Sequence, residues 1–117
     1  MKVYISGKIT GLDPIEAKKN FIKAELRLKH QGHEVMSPKG IMDFAGFEHE
    51  DYMHVCRAMI DVCDAVYMLA NWTDSKGARE ELDYAKEWRK QVLYEWESTA
   101  VLAKESENGC GKGNSSV

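Results

Sequence analysis

The feature that most limits what this chain can become is its alternation of short apolar runs with stretches of helical periodicity. Val3 to Ser6 reads as a strand, stopped by Gly7 and Gly11 in the loop Ser6-Gly7-Lys8-Ile9-Thr10-Gly11. Asp13-Pro14-Ile15-Glu16 then offers an N-cap, a proline at the first helical position and a glutamate at the third. The helix that follows carries Ala17, Phe21, Ala24 and Leu28 on one stripe, and Gly32 is a natural stop before a second strand, His33 to Met36. A second helix is expected from about Glu50 to about Cys63, with Met53, Cys56, Met59, Ile60 and Cys63 near one face. Asp64 to Ala70 is the third strand, Gly77 to about Lys90 the third helix, and Gln91 to Tyr94 the fourth strand.

Strands that alternate with helices imply a parallel sheet whose crossovers put helices on both faces. The expected fold class is therefore α/β, a flavodoxin- or Rossmann-like doubly wound sheet of four to five strands in the order 2-1-3-4. That order brings the loops after the first and third strands together, at the switch point where such sheets bind ligands. A chain of 117 residues supports one such domain, expected over residues 1–95. Residues 96–117 are expected to hold a short helix, Trp96 to Lys104, and a mobile tail from Glu105 to Val117 rich in Ser, Gly, Asn and Lys.

Composition narrows the partners. The net charge is -3 with both signs interspersed, which argues against a nucleic-acid polymer as partner. The chain opens on Met1-Lys2-Val3-Tyr4-Ile5 without a basic and apolar leader, and no run of 18 apolar residues occurs, so a cytoplasmic protein without membrane attachment is expected. Cys56, Cys63 and Cys110 are odd in number and form no C-x-x-C pair, which favours free thiols. His30, His33, His49 and His54 have no metal-ligand spacing, and neither a metal nor a cofactor is expected. His54 and Cys56 stand two apart on a helix and share no face, which disfavours a Cys–His nucleophile pair. The G-x-x-x-G of Gly7 and Gly11 fits neither a dinucleotide fingerprint nor a P-loop.

Chemistry concentrates in Asp74-Ser75-Lys76-Gly77-Ala78-Arg79-Glu80-Glu81-Leu82-Asp83-Tyr84-Ala85, a polar loop that leaves the third strand and opens a helix. Unpaired backbone N–H groups at such a junction favour anions. Ser75 adds a hydroxyl, Gly77 lets the backbone approach a ligand, and Glu81 stands where a carboxylate could attack a sugar carbon. The same residues equally describe an N-capped surface helix with solvated Glu80 and Glu81. The loop from Pro38 to Phe47 is unusually apolar (Ile41, Met42, Phe44, Phe47), suited to covering a pocket or to packing as a satellite of the core.

Three separated segments carry a resemblance. Val3-Tyr4-Ile5-Ser6-Gly7-Lys8-Ile9-Thr10-Gly11 resembles the Y-I-S-G-x-I-T-G start of a group of small bacterial and phage proteins. That group lies near the nucleoside 2-deoxyribosyltransferases and the deoxynucleoside 5′-monophosphate N-glycosidases. Cys63-Asp64-Ala65-Val66-Tyr67-Met68-Leu69 resembles the group's C-D-A-V strand, with Asn71-Trp72 where a G-W pair is common. Asp74 to Leu82 is similar to its D-S-x-G-A-x-x-E loop and helix. The resemblance covers roughly Met1 to Tyr94 and implies fold more directly than activity.

It implies that Glu81, which directly precedes Leu82-Asp83-Tyr84-Ala85, attacks C1′ of a deoxyribose to form a covalent glycosyl-enzyme. Glu80 falls about 100° round the helix, so both cannot face one pocket. Ser75 and Gly77 match positions that hold the sugar or 5′ end, and Ser6 to Gly11, with Gly7 and Ile9, the loop that lines the nucleoside or phosphate. Lys8 stands where the group often has proline and offers a point charge to a phosphate, or to water. Tyr4 matches an aromatic near the sugar, or points into the core. Trp72 stacks on a base, or packs. Base departure passes through an oxocarbenium-like state that a carboxylate stabilises and traps, and a second acid should protonate the base. Relatives place an aspartate eight residues before the aspartate of the C-D-A-V strand; here that position is Cys56, a weak donor. Asp51, Asp61 and Asp74 are candidate substitutes, with Asp74 best placed by sequence. The expected partner is a small deoxynucleoside or nucleotide. Alternatives are a non-catalytic nucleotide-binding module and a purely structural protein of the same fold. Relatives assemble as dimers or higher oligomers, and the Ile41–Phe47 loop would suit such an interface.

Overall fold

A computed structural model describes residues 1–42 and 45–96. Four strands, β1 (Lys2–Ser6), β2 (Glu34–Met36), β3 (Ala65–Met68) and β4 (Gln91–Tyr94), alternate with helices α1 (Pro14–His30), α2 (His49–Asp61) and α3 (Lys76–Glu87). All three strand pairs are parallel and the order is β2-β1-β3-β4, the doubly wound arrangement expected. Two short 3-10 turns, Pro38–Ile41 and Trp72–Asp74, precede α2 and α3 respectively. No helix among the described residues is long and apolar enough to cross a membrane. Phe44 and, apart from Trp96, the expected C-terminal helix and tail lie outside the described residues.

The local chemistry explains the helix ends. The Asp13 carboxylate accepts from the Glu16 N–H at 3.2 Å and so caps α1, with Pro14 at its first position. At the other end Gly32, at φ +92°, lets its own N–H reach the Lys29 carbonyl at 2.9 Å and the His33 N–H reach Leu28 at 3.1 Å, the two bonds of a Schellman stop. The end of α3 uses the same pattern with Arg89 at φ 59°: its N–H bonds Lys86 and that of Lys90 bonds Ala85. No glycine marks that stop, which is why α3 was expected to run to Lys90 rather than Glu87. Helix α2 begins one residue earlier than expected, at His49, because the Asp51 carboxylate takes the Glu48 N–H at 3.0 Å.

Strand alternation sorts β1 onto two faces. Val3 and Ile5 pack with Ala65, Tyr67 and Leu69 of the β3 region against Phe21, Ala24 and Leu28 of α1, all buried. On the opposite face Tyr4, Val66 and Met68 meet Cys56 and Ile60 of α2 and Ala78, Leu82 and Ala85 of α3. Ser6, two residues beyond Tyr4, is fully buried and shares its side of the strand.

Candidate functional site

The loops after β1 and β3 are drawn together at the carboxyl end of the sheet. The Leu69 N–H donates to the Ser6 carbonyl at 2.8 Å, and the Lys8 N–H donates to Asn71 Oδ1 at 3.0 Å. Gly7 makes this closeness possible: a Cβ there would lie 2.4 Å from Leu69 Cδ1 and 2.9 Å from Leu69 Cβ. Ser75 caps α3, its hydroxyl accepting from the Ala78 N–H at 3.1 Å. That bond fixes the helical phase. Ala78, Glu81, Leu82 and Ala85 then face inward.

Glu81 is consequently a buried carboxylate, with 5% of its surface exposed, on the side of the sheet where Tyr4 and Ser6 project. Ser6 Oγ donates to its Oε1 at 2.5 Å and Tyr4 OH to its Oε2 at 2.9 Å. The Cys56 thiol is buried in the same cluster as Tyr4. Burial raises the Glu81 carboxyl above its ordinary value near 4.5, against the lowering effect of the donors. Burial, with the Glu81 charge second, pushes the Cys56 thiol up to about 12 and Tyr4 well above an ordinary phenol. Both groups therefore keep their protons, and Tyr4 donates its own to the Glu81 carboxyl group.

Glu81 forms part of the wall of a cavity of about 490 Å³, within the range of small-molecule sites. The β1 loop contributes Gly7, Ile9 and Thr10; the start of α3 contributes Asp74 to Ala78; Pro38, Met42 and Phe47 come from the intervening segment, and Glu48, His49, Tyr52 and Met53 from the start of α2. Of the residues expected at a site, Gly7, Ile9, Asp74, Ser75, Gly77 and Glu81 are brought to this cavity. Tyr4 and Ser6 stand behind it and touch it through Glu81. Lys8 and Gly11 stand outside the wall. Trp72, also outside it, packs on Tyr94 with ring centroids 6.0 Å apart. Asp74 is exposed at the rim, Asp61 accepts from Tyr84 OH at 2.6 Å at the opposite end of α2 from the cavity, and Asp51 caps that helix. Gly77 is not closely packed: a Cβ there would find Met53 Sδ at 3.5 Å and His49 Cε1 at 3.7 Å.

Two wall residues carry chemistry that the sequence reading passed over. The Tyr52 hydroxyl is shielded from solvent and has no hydrogen-bond partner among the described residues. His49 Nε2 lies 3.0 Å from Glu80 Oε1, so the glutamate that turns away from the pocket interior holds a group at its mouth. The signal was present, since His49, Tyr52, Met53 and Cys56 follow i, i+3, i+4, i+7 spacing and mark one helical face. Among the described residues no group of three or more His, Cys, Asp or Glu is arranged to hold a metal ion.

The fold and this site define a doubly wound α/β domain with a hydrogen-bonded carboxylate buried beside its switch-point cavity. The chain belongs to the family described as a domain of unknown function, DUF4406, whose model matches residues 1–94. No curated protein matches it.

Proposed function

We propose that this protein cleaves or transfers the N-glycosidic bond of a 2′-deoxynucleoside or its 5′-monophosphate, with Glu81 as nucleophile at C1′. The observation that carries this reading is the Glu81 carboxylate itself, buried in a cavity wall and held through both oxygens by Ser6 and Tyr4. A surface helix would need neither the burial nor the donors. The motif resemblance to the deoxyribosyltransferases and N-glycosidases supplies the substrate class.

Chemically, burial penalises the charged carboxylate, and that penalty disappears as charge moves into a C1′–O bond. The donors from Tyr4 and Ser6 keep the carboxylate from turning, leaving its remaining lone pairs for the sugar. Oxocarbenium character at C1′ is stabilised by the same negative charge before it is trapped. Water, or a second base, then attacks C1′ and releases Glu81. Ser75, Gly77 and the Ser6–Gly11 loop hold the sugar and its 5′ group in this reading. Phe47, 67% exposed at the cavity edge, is the surface through which a neighbouring copy would cover the mouth.

A second reading is a nucleotide-binding module without turnover. It is favoured by Cys56, whose thiol holds its proton too tightly to serve as an acid. Incubation with deoxynucleosides and their monophosphates, followed by chromatography for free base, tests both. Base release that disappears in Glu81→Gln supports the enzyme, and release that survives the change overturns the role of Glu81. Binding measured by calorimetry without any release supports the module.

A further inference from the structure

A glycosidic reaction at Glu81 leaves an electron pair on the departing base nitrogen, and that nitrogen needs a proton near neutral pH. The inner groups beside Glu81 do not supply one: Cys56 and Tyr4 are buried groups whose protons are held more tightly than in water. The supply has to come from a group on the cavity wall that exchanges protons readily, and imidazole is the side chain suited to that.

We propose that His49, oriented by Glu80, is the catalytic acid and base of this site, a proposal that rests on the Glu81 reading above. His49 is the first residue of α2 and lines the same cavity as Glu81. Its Nε2 lies 3.0 Å from Glu80 Oε1, which assigns the Nε2 proton to that bond and leaves Nδ1 for a ligand. The ring passes over Gly77, where an added Cβ would stand 3.7 Å from His49 Cε1, so the glycine keeps space between the imidazole and the turn that opens α3. A carboxylate behind an imidazole that lines the cavity of a nucleophile is an arrangement by which side chains hold a proton carrier in one orientation. The charged groups sharing this mouth are Glu80 from α3, Glu48 before α2, Asp74 and Lys76 before and at the start of α3, and Glu81 within.

The step balances. A Glu81 oxygen bonds to C1′ as the C1′–N bond breaks, its electron pair stays on the base, and His49, entering the step as the imidazolium, gives its Nδ1 proton to the base nitrogen while Nε2–H stays on Glu80. Neutral His49 then accepts a proton from the water that attacks C1′, the C1′–O bond to Glu81 breaks, and both side chains are restored. Adjacent glutamates thus take different parts: Glu81 faces the sugar, and Glu80 positions the proton carrier.

The test compares two leaving groups in the full-length protein. Deoxynucleosides need a proton on departure, whereas 4-nitrophenyl 2-deoxyriboside releases an anion that does not. His49→Gln is expected to lower single-turnover base release from deoxynucleosides by about 10²- to 10⁴-fold, and to change single-turnover nitrophenolate release, which precedes the step in which His49 acts as base, far less. Glu80→Gln, acting through orientation, is expected to give a smaller loss with the same contrast between substrates. Equal losses on both substrates, or none, overturn the role of His49 while wild-type turnover leaves Glu81 standing. A contrast found in Asp74→Asn instead of His49→Gln assigns the proton to Asp74 and also overturns it. No release of either leaving group by the wild type overturns both readings together.

Discussion

Replacing Tyr4 by phenylalanine removes one oxygen from the centre of the site and leaves the ring in place. The hydroxyl donates to Glu81 Oε2 at 2.9 Å in a fully buried setting, so water does not replace it. A hydrogen bond to a charged group contributes about 1.5–3 kcal/mol, and a loss of that size in a domain this small lowers Tm on the order of 10 °C. The loss should depend on pH in a defined sense. Burial raises Glu81 above its ordinary value near 4.5 in the folded protein, so its contribution to stability is present at low pH and declines as pH rises through its titration. Without Tyr4 the anion has one donor fewer, its carboxyl rises further, and the decline steepens. Urea unfolding followed by circular dichroism at pH 7 and at pH 4 measures this, with Tyr67→Phe as control. Tyr67 accepts from Arg27 at 3.0 Å, a partner that stays charged throughout. A Tyr4→Phe loss under about 0.5 kcal/mol, or one equal at both pH values, would refute the claim that the phenol serves a buried anion.

Other substitutions probe the same geometry. Glu81→Gln should abolish base release yet raise stability at pH 7 by an amount that shrinks toward pH 4, as paired melts would reveal. Gly7→Ala should cost about 1–3 kcal/mol and weaken nucleotide binding, because its Cβ would meet Leu69 at 2.4 Å; unchanged unfolding would mean the two loops yield freely. Tyr52→Phe removes a shielded hydroxyl that has no partner among the described residues and should leave the free protein equally or more stable, by up to about 1 kcal/mol; a clear destabilisation by calorimetry would show that the hydroxyl is bonded. Arg89→Gly relieves a left-handed residue at φ 59° and should stabilise by roughly 1 kcal/mol, readable as a higher denaturant midpoint.

Much of the architecture follows from local chemistry. The fully apolar run Ala65–Met68, the Asp13–Pro14 cap, the Gly32 stop and the Ala17/Phe21/Ala24/Leu28 stripe each specify an element with its own neighbours, and alternation of those elements leaves a parallel sheet with a switch point. Glu81 was singled out from Glu80 by the motif resemblance, and the structure places it with Ala78, Leu82 and Ala85 on the buried face of α3, while β-alternation places Tyr4 with Ser6. What no stretch of sequence contains is the distance between those two patterns. That the Tyr4 and Ser6 hydroxyls reach across 77 and 75 residues to the two oxygens of one carboxylate depends on β1–β3 register and on how deeply α3 sits on the sheet. The pairing of His49 with Glu80 likewise depends on where α2 starts relative to α3, after a loop whose path local propensity does not set. Sequence alone determined the elements and their order, and the motif resemblance pointed to the carboxylate; tertiary packing decided that it is buried, which hydroxyls hold it, which imidazole stands at the cavity mouth, and that Trp72 and Lys8 lie outside the cavity wall.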